Sequence, residues 1–207
     1  LTTGPAHHGV ALAARGHVFA TIASDGERLP DRVGIWPVNG LEAAPETTAA
    51  PCPGLHGVAT AGEHVLFGCS DGVLAIEDHG DHFDTRKIDA PAGPPEGTRV
   101  GRLAAHAEQP VFVGNWGQEG FALVDPAAGT ITPVATDEPA VDFTFDLDGG
   151  SIVALTADGR LHRLEPGDGA PRGEPLELTG PIDLSGGHGA ARPSLATGAG
   201  RIYVTVP

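Results

Sequence analysis

The sequence predicts an all-β fold, a β-propeller of four-stranded antiparallel blades that forms an incomplete ring in this chain. Glycine (31 residues) and proline (19) make up about a quarter of the 207 residues, and they separate short apolar segments. That pattern is typical of a turn-rich all-β protein. The segments also recur in groups of four with a period of roughly 40 to 50 residues, which is the repeat expected of a propeller blade.

The four-strand repeat can be followed along the chain. The first unit contains the segments "HHGVALA", "HVFATIAS", "RVGIWPV" and "LEAAPE". The second contains "HGVAT", "HVLFGC", "VLAIE" and "FDTRKID", and the third contains "VGRLAAH", "PVFVGN", "GFALVD" and "TITPVAT". The fourth contains "VDFTFD", "SIVALT", "RLHRLE" and "EPLELT". Asp-Gly and Gly-Gly steps between the segments supply the positive φ angles that tight hairpin turns require.

Two further segments, "SLATGAG" and "RIYVTVP", begin a fifth unit. We therefore expect residues 1–207 to form a single propeller domain or fragment, with four blades and a two-stranded fifth. Because an intact propeller closes its ring, we interpret the chain as part of a larger ring. An immunoglobulin-like sandwich is the alternative, and it would explain the strands but not their grouping in fours.

The charge balance disfavours several functions. The formal net charge is −15, and so acidic a surface repels phosphate backbones and argues against binding nucleic acid. No run of 18 apolar residues is present, so we expect no insertion into a membrane. The chain contains no methionine and starts without a basic, apolar-cored leader, which we interpret as processing or truncation.

The two cysteines, Cys52 and Cys69, lie symmetrically about a predicted hairpin turn at Ala61-Gly62. Residues equidistant from such a turn face each other across the two strands, so we expect the pair to be within disulfide reach. A disulfide indicates an oxidising compartment, which means the periplasm, the cell surface or the outside of the cell. A metal site with two thiolate ligands is the alternative.

Three histidine-glycine steps share a position at or just before the first strand of a unit, at His8, His56 and His188. In a propeller the first strands line the central channel and run in the same direction, so their starts converge on one mouth. His7 is adjacent to His8. Aligning the later units by their second strands puts Arg102 and Asp142 near the same mouth, with His106 further along the strand that begins at Arg102. Neutral imidazoles beside a carboxylate indicate a site for zinc or another borderline metal, although a polar, wet channel mouth would also explain them.

The other histidines have simpler interpretations. His17 and His64 occupy the same turn-to-strand position in two units, and His162 lies in an outer strand, so we expect solvated or cross-strand roles. In "DHGDH", His79 and His82 with Asp81 between them could hold a metal weakly, and a polar loop tip explains them equally well.

Four stretches carry a family resemblance: "HHGVALA", "CPGLHGVATAGEHVLFGCSDGVL", "RLAAH" followed by "PVFVGNWG", and "GGHGAARPSLA". They resemble the periplasmic zinc metallochaperones of the AztD type, most strongly over residues 52–77. The resemblance implies a β-propeller of the periplasm or cell envelope that is not an enzyme. It also implies that the protein hands zinc to the solute-binding protein of an ABC importer. Together with the positions of the histidines in the repeat units, the resemblance predicts that zinc is bound by His8, His56, His106 and His188. His7 is the alternative ligand in the first unit.

Two other functions fit a propeller with histidines at its channel mouth. The first is an enzyme, lactonase or quinoprotein-like, with a metal at the mouth. A hydrolase needs an acid/base pair beside the metal, for which Arg102 and Asp142 are the candidates, and no nucleophile motif is visible. The second is a non-catalytic interaction module in which the histidines are incidental.

Overall fold

The computed structural model of the protein describes residues 1–23, 29–91, 99–117, 120–185 and 191–205. These ranges contain strands β1 to β18 and one short 3₁₀ turn, Val38–Gly40, and no α-helix among them. The described part of the chain has no helix with the length and apolar character needed to cross a bilayer.

Four antiparallel sheets have four strands each, and in every one the neighbouring strands follow chain order. The first sheet contains β1 (Ala11–Ala14), β2 (His17–Ile22), β3 (Arg32–Pro37) and β4 (Glu46–Thr47). The second contains β5 (His56–Ala61), β6 (His64–Cys69), β7 (Gly72–Asp78) and β8 (Phe83–Asp89). The third contains β9 (Leu103–Ala104), β10 (Phe112–Trp116), β11 (Gly120–Asp125) and β12 (Thr130–Ala135). The fourth contains β13 (Ala140–Phe145), β14 (Ile152–Thr156), β15 (Arg160–Leu164) and β16 (Leu176–Glu177). A fifth, two-stranded sheet contains β17 (Ser194–Gly198) and β18 (Arg201–Thr205).

The prediction of an all-β fold with four-stranded antiparallel sheets is confirmed, but several strands are shorter than the sequence pattern suggested. β4, β9 and β16 have two residues each, and β1 begins at Ala11, so His7 and His8 precede it. β4 and β16 are the outermost strands of their sheets and are exposed, with one hydrogen-bonded neighbour each. Little apolar burial therefore stabilises an extended backbone there.

The first strands of consecutive sheets lie side by side: β1 next to β5, β5 next to β9, β9 next to β13, and β13 next to β17. They run in the same direction, because the residues that precede or begin each one contact those at the start of the next. Leu195 at the start of β17, for example, donates its backbone N–H to Asp142 near the start of β13. We call the end where these strands begin the starting end and the opposite one the far end. This is the inner-strand arrangement of a β-propeller.

Each sheet packs on the next through its own hydrophobic cluster. Phe19 and Ile35 of the first sheet meet Phe67 of the second, and comparable clusters join the second to the third, the third to the fourth and the fourth to the fifth. Within the described ranges no such cluster joins the fifth sheet to the first. That residues 1–207 form one domain stays a prediction.

An ion pair supplements the contact between the first two sheets at the far end. Arg15, in the β1–β2 turn, donates from Nε to Oδ2 of Asp78 at 2.9 Å, and the Asp78 side chain is only 5% exposed. Burial by itself raises the pKa of this carboxyl, but hydrogen bonds from the Gly80 backbone N–H and from Arg15 outweigh burial and lower the pKa.

Candidate metal centre

Two of the predicted histidines meet at the starting end. Nε2 of His8, just before β1, lies 2.9 Å from Nε2 of His56, the first residue of β5. The two rings are nearly parallel, with centroids 5.0 Å apart and planes inclined by 13°. His8 is exposed and His56 is half-buried, so the paired nitrogens are accessible from solvent.

The orientation of His56 is set by contacts with the third sheet. Its Nδ1 lies 2.7 Å from the Gly101 carbonyl oxygen, an acceptor, so Nδ1 carries the proton and donates it there. In a neutral ring Nε2 is then the nitrogen with the free lone pair. Metal-binding histidines are commonly oriented by such a bond from the second ring nitrogen to a carbonyl.

A bulge in β5 lets the chain reach this position. The ladder with β6 shifts between His56 and Val58, which leaves Gly57 unpaired with a φ of 63°. A Cβ on Gly57 would lie 2.8 Å from the carbonyl carbon and oxygen of Gly101. Glycine is therefore needed for close approach to the neighbouring blade.

The Gly101 carbonyl, which accepts the hydrogen bond from His56, is itself held in place. The side chain of Asn115 accepts from the Arg102 backbone N–H at 2.8 Å and donates to the Arg99 carbonyl at 2.9 Å. The amide thus fixes the backbone on both sides of Gly101. Sequence reasoning missed Asn115, and the only signal for it was a polar residue in an otherwise apolar strand segment, "VFVGNW".

The spacing of the paired nitrogens suits a shared cation. Zinc binds imidazole nitrogen at about 2.0 to 2.1 Å, so two ligands at a tetrahedral angle have nitrogens about 3.3 Å apart. The observed 2.9 Å between the Nε2 atoms is within a few tenths of an ångström of that value. Without a cation, His8 donates an Nε2–H proton to His56, and on binding metal it must take its other tautomer.

Cys52 and Cys69 form a disulfide with their Cα atoms 5.0 Å apart, so the pairing is the one expected from the sequence. The predicted reason for the pairing is only partly right. Ala61 pairs with His64, so the two-residue turn is Gly62-Glu63, and Cys52 lies four residues before β5 begins. The chain bends between Cys52 and β5, and the Ser70 backbone N–H donates to the Pro53 carbonyl, which brings the sulfurs together.

Two other predicted ligands lie elsewhere. His7 turns back on the first sheet, with Nδ1 at 2.8 Å from the Pro5 carbonyl and Nε2 at 3.2 Å from both oxygens of Thr21. His106 follows β9 at the far end, where its Nε2 lies 3.0 Å from the Leu147 carbonyl. The structure does not bring either histidine to the His8–His56 pair.

Arg102 and Asp142 lie at the starting end but bind each other, in an ion pair between the third and fourth sheets. The Asp142 side chain is 3% exposed and also accepts the backbone N–H groups of Phe143 and Leu195. Arg102 lies over the Phe143 ring, 5.0 Å from its centroid, and burial lowers the pKa of its guanidinium. The pair joins three blades, and its carboxylate is occupied by these contacts instead of being free for a metal.

Similarity to known proteins supports the propeller fold. No protein-family model matches the chain. The zinc chaperone AztD of Citrobacter koseri is 27% identical over 203 residues, which cover 97% of this chain and 48% of that protein. The crystal structure of Citrobacter koseri AztD matches with a TM-score of 0.82 and 26% identity, over 97% of this chain and 54% of that one. This chain resembles AztD in both sequence and fold.

The apo structure of AztD matches nearly as well, with a TM-score of 0.80 at 25% identity over 97% of this chain and 54% of that one. The chain therefore spans about half the length of the AztD proteins it matches. The β-propeller domain of Myceliophteria thermophila Cps50 (Swd1) matches with a TM-score of 0.60 over 94% of this chain and 61% of that one. At 13% identity that likeness shows the fold alone, which is a β-propeller.

Among the residues that carried the AztD resemblance, His188 lies outside the described residues. Other histidines make local contacts. His17 packs edge-on against Phe83, with ring centroids 4.9 Å apart, and Nε2 of His162 lies 3.0 Å from the Thr156 hydroxyl. His79 and His82 stack on each other at the β7–β8 turn.

Proposed function

We propose that this chain binds zinc at its starting end and serves as a zinc metallochaperone. The observation that supports this most directly is the convergence of the two Nε2 atoms of His8 and His56 at 2.9 Å. The Gly101 carbonyl holds the His56 tautomer that zinc binding requires. The similarity to the zinc chaperone AztD supports the same metal.

The ligand set that we propose is His8 and His56 together with His188, which the repeat phase assigns to the segment before β17. Zinc in proteins takes four ligands or leaves one position to water or to another molecule. A site with an open position suits transfer, because an incoming ligand can bind before the others leave. The exposure of His8 supports such an open site.

We further propose that the recipient is the solute-binding protein of an ABC importer and that transfer takes place in the periplasm or cell envelope. The Cys52–Cys69 disulfide supports an oxidising compartment. It also ties up both thiols, so no cysteine of this chain competes with the imidazoles for zinc. The net charge of −15 favours accumulation of cations near the surface.

The role that we propose is not catalytic. For a hydrolase, Arg102 and Asp142 were the candidate acid/base pair, and these two residues hold the inner strands of three sheets together. A carboxylate held by an arginine and two backbone N–H groups is poorly placed to move protons at a metal.

A zinc titration in competition with a chromophoric chelator tests the proposal. His56→Ala and His8→Ala should each weaken zinc binding by at least about 10-fold. Removing a residue that only hydrogen-bonds to a metal ligand already weakens binding by that much, and these variants remove a ligand itself. His162→Ala, which removes an imidazole from the fourth sheet, is the control and should bind as the wild type does. Equal affinity in the His56→Ala and His162→Ala proteins would remove the basis for the site.

Transfer needs its own measurement. Zinc-loaded protein is mixed with the metal-free solute-binding protein, the two are separated, and zinc is measured in each. Zinc should move to the solute-binding protein faster than it dissociates into chelator alone. Transfer at the rate of free dissociation would contradict a chaperone role while leaving zinc binding intact.

A further inference from the structure

We propose a second zinc site at the β7–β8 hairpin of the second sheet, formed by His79, His82 and Asp84 with Glu77 at its edge. Unlike the His8–His56 pair, it is built entirely from one blade and lies at the far end. β5 runs for six residues from His56 to Ala61, which separates the two ends of this sheet by about 17 Å. The two sites therefore share no ligand and can be tested separately.

The alternation of side chains along the two strands puts the proposed ligands on one face of the hairpin. Asp78 and Phe83 point toward the first sheet, where Asp78 pairs with Arg15 and Phe83 packs on Phe19 with ring centroids 5.8 Å apart. Their neighbours in sequence, Glu77, His79, His82 and Asp84, point the opposite way. The anchored residues thus fix the backbone that presents the ligands.

The ligand atoms are already clustered. One nitrogen of His79, one of His82 and one carboxylate oxygen of Asp84 all lie within 4.8 Å of one another. Nε2 of His79 is 3.3 Å from Oδ2 of Asp84 and 4.0 Å from Oε2 of Glu77. The His79 and His82 rings stack with centroids 4.8 Å apart.

Small side-chain rotations would complete the site. Ligands around tetrahedral zinc are about 3.3 Å apart, so no separation between the ligand atoms needs to shrink by more than about 1.5 Å. The three side chains are solvent-accessible, with 34%, 59% and 73% of His79, His82 and Asp84 exposed, and no packed core resists their movement. The same exposure predicts a weaker, faster-exchanging site than one held by buried contacts.

A carboxylate orients the second histidine. Nδ1 of His82 donates to Oδ1 of Asp81 at 2.7 Å, which leaves Nε2 as the unprotonated nitrogen of the neutral ring. This hydrogen bond raises the pKa of His82, and the charges of Asp81, Asp84 and Glu46 act in the same direction. Two imidazoles with carboxylates suit zinc and similar borderline metals better than calcium or magnesium, which prefer oxygen ligands alone.

A third imidazole lies on the same face. His64 stands opposite Glu77 in the β6–β7 ladder, and Glu77 stands opposite Asp84 in the β7–β8 ladder. Nδ1 of His64 is buried and has no hydrogen-bond partner among the described residues. His64 therefore places an imidazole next to the proposed carboxylate ligands in the sheet.

The test is a titration of the protein with Zn²⁺, followed by ¹⁵N NMR of the histidine rings. A His8→Ala/His56→Ala background removes the first site, so failure here does not bear on the function proposed above. We expect the ring nitrogens of His79 and His82 to shift together with added zinc. His79→Ala/His82→Ala in that background should weaken binding by at least about 10-fold, whereas His162→Ala should not change it.

Asp84→Asn provides a second variant that keeps both imidazoles and the hairpin backbone. It should also weaken zinc binding, because an amide is a poorer zinc ligand than a carboxylate. Two results would overturn the proposal. One is that the His79 and His82 resonances do not move with zinc, and the other is that the double variant binds as tightly as the His162→Ala protein.

Discussion

Reducing the Cys52–Cys69 disulfide should lower the free energy of unfolding by about 3 kcal/mol. The bridge joins residues 17 positions apart, and the chain-entropy cost of closing a loop of that size gives this value. Both cysteines are fully buried in the hydrophobic cluster between the first and second sheets. The loss should therefore weaken the docking of these two sheets more than that of any others.

The same change should leave zinc binding at His56 nearly intact. The segment before His56 keeps three backbone hydrogen bonds without the disulfide: Cys52 to Asp31, Leu55 to Pro30, and Ser70 to Pro53. Leu55 is also completely buried. We therefore expect the zinc affinity of the folded, reduced protein to fall by less than about 10-fold, below the cost of losing an oriented ligand.

Urea unfolding followed by tryptophan fluorescence measures the first effect. With a slope of about 2 kcal/mol per molar urea, a loss of 3 kcal/mol moves the midpoint down by about 1.5 M. The Cys52→Ala/Cys69→Ala protein should behave like the reduced wild type, which separates loss of the bridge from effects of the reductant. An unchanged midpoint would refute the entropy argument, and two alkylated thiols in folded, unreduced protein would refute the bridge itself.

Three further predictions concern backbone strain and pH. Gly57→Ala should destabilise the fold by more than about 1 kcal/mol and weaken zinc binding, because the new Cβ meets backbone at 2.8 Å. Gly62→Ala is the control in both the urea and the zinc titrations, because Gly62 also has a positive φ but has open space around it. It should lower the free energy of unfolding by less than Gly57→Ala does and should leave zinc affinity unchanged. Asp78→Asn should remove part of the acid sensitivity of folding. Because the folded-state pKa of this carboxyl is lowered, its contribution is present above its unfolded pKa near 3.8 and is lost as the pH falls through the folded value. Identical acid-unfolding curves for mutant and wild type would contradict this. His82 should titrate by NMR above the ordinary imidazole value of 6.5, so zinc at the hairpin should be displaced at a higher pH than from a free imidazole. A midpoint at or below 6.5 would contradict the role given to its aspartate neighbour.

The sheets and their order could be predicted from the sequence because strands and turns are recognised from residues that are close together in the chain. Turn residues separate apolar segments of strand length, and the grouping of these segments in fours specifies the blades. The position of His8 and His56 at the starting end followed from the same grouping, because both residues stand at or just before the first strand of a unit. The pairing of Cys52 with Cys69 was also predicted, although the turn lies one residue later than expected and the ladder does not include Cys52.

The tertiary structure decided which side chains meet within that end. His7 and His8 are adjacent in sequence, yet one bonds to Thr21 and the other faces His56. His106 lies at the far end, since the chain runs the length of the inner strand from Arg102 before reaching it. The orientation of the His56 imidazole depends on a backbone group, the Gly101 carbonyl, which is 45 residues away in sequence. No local pattern encodes such a contact, because it exists only after two blades have packed together.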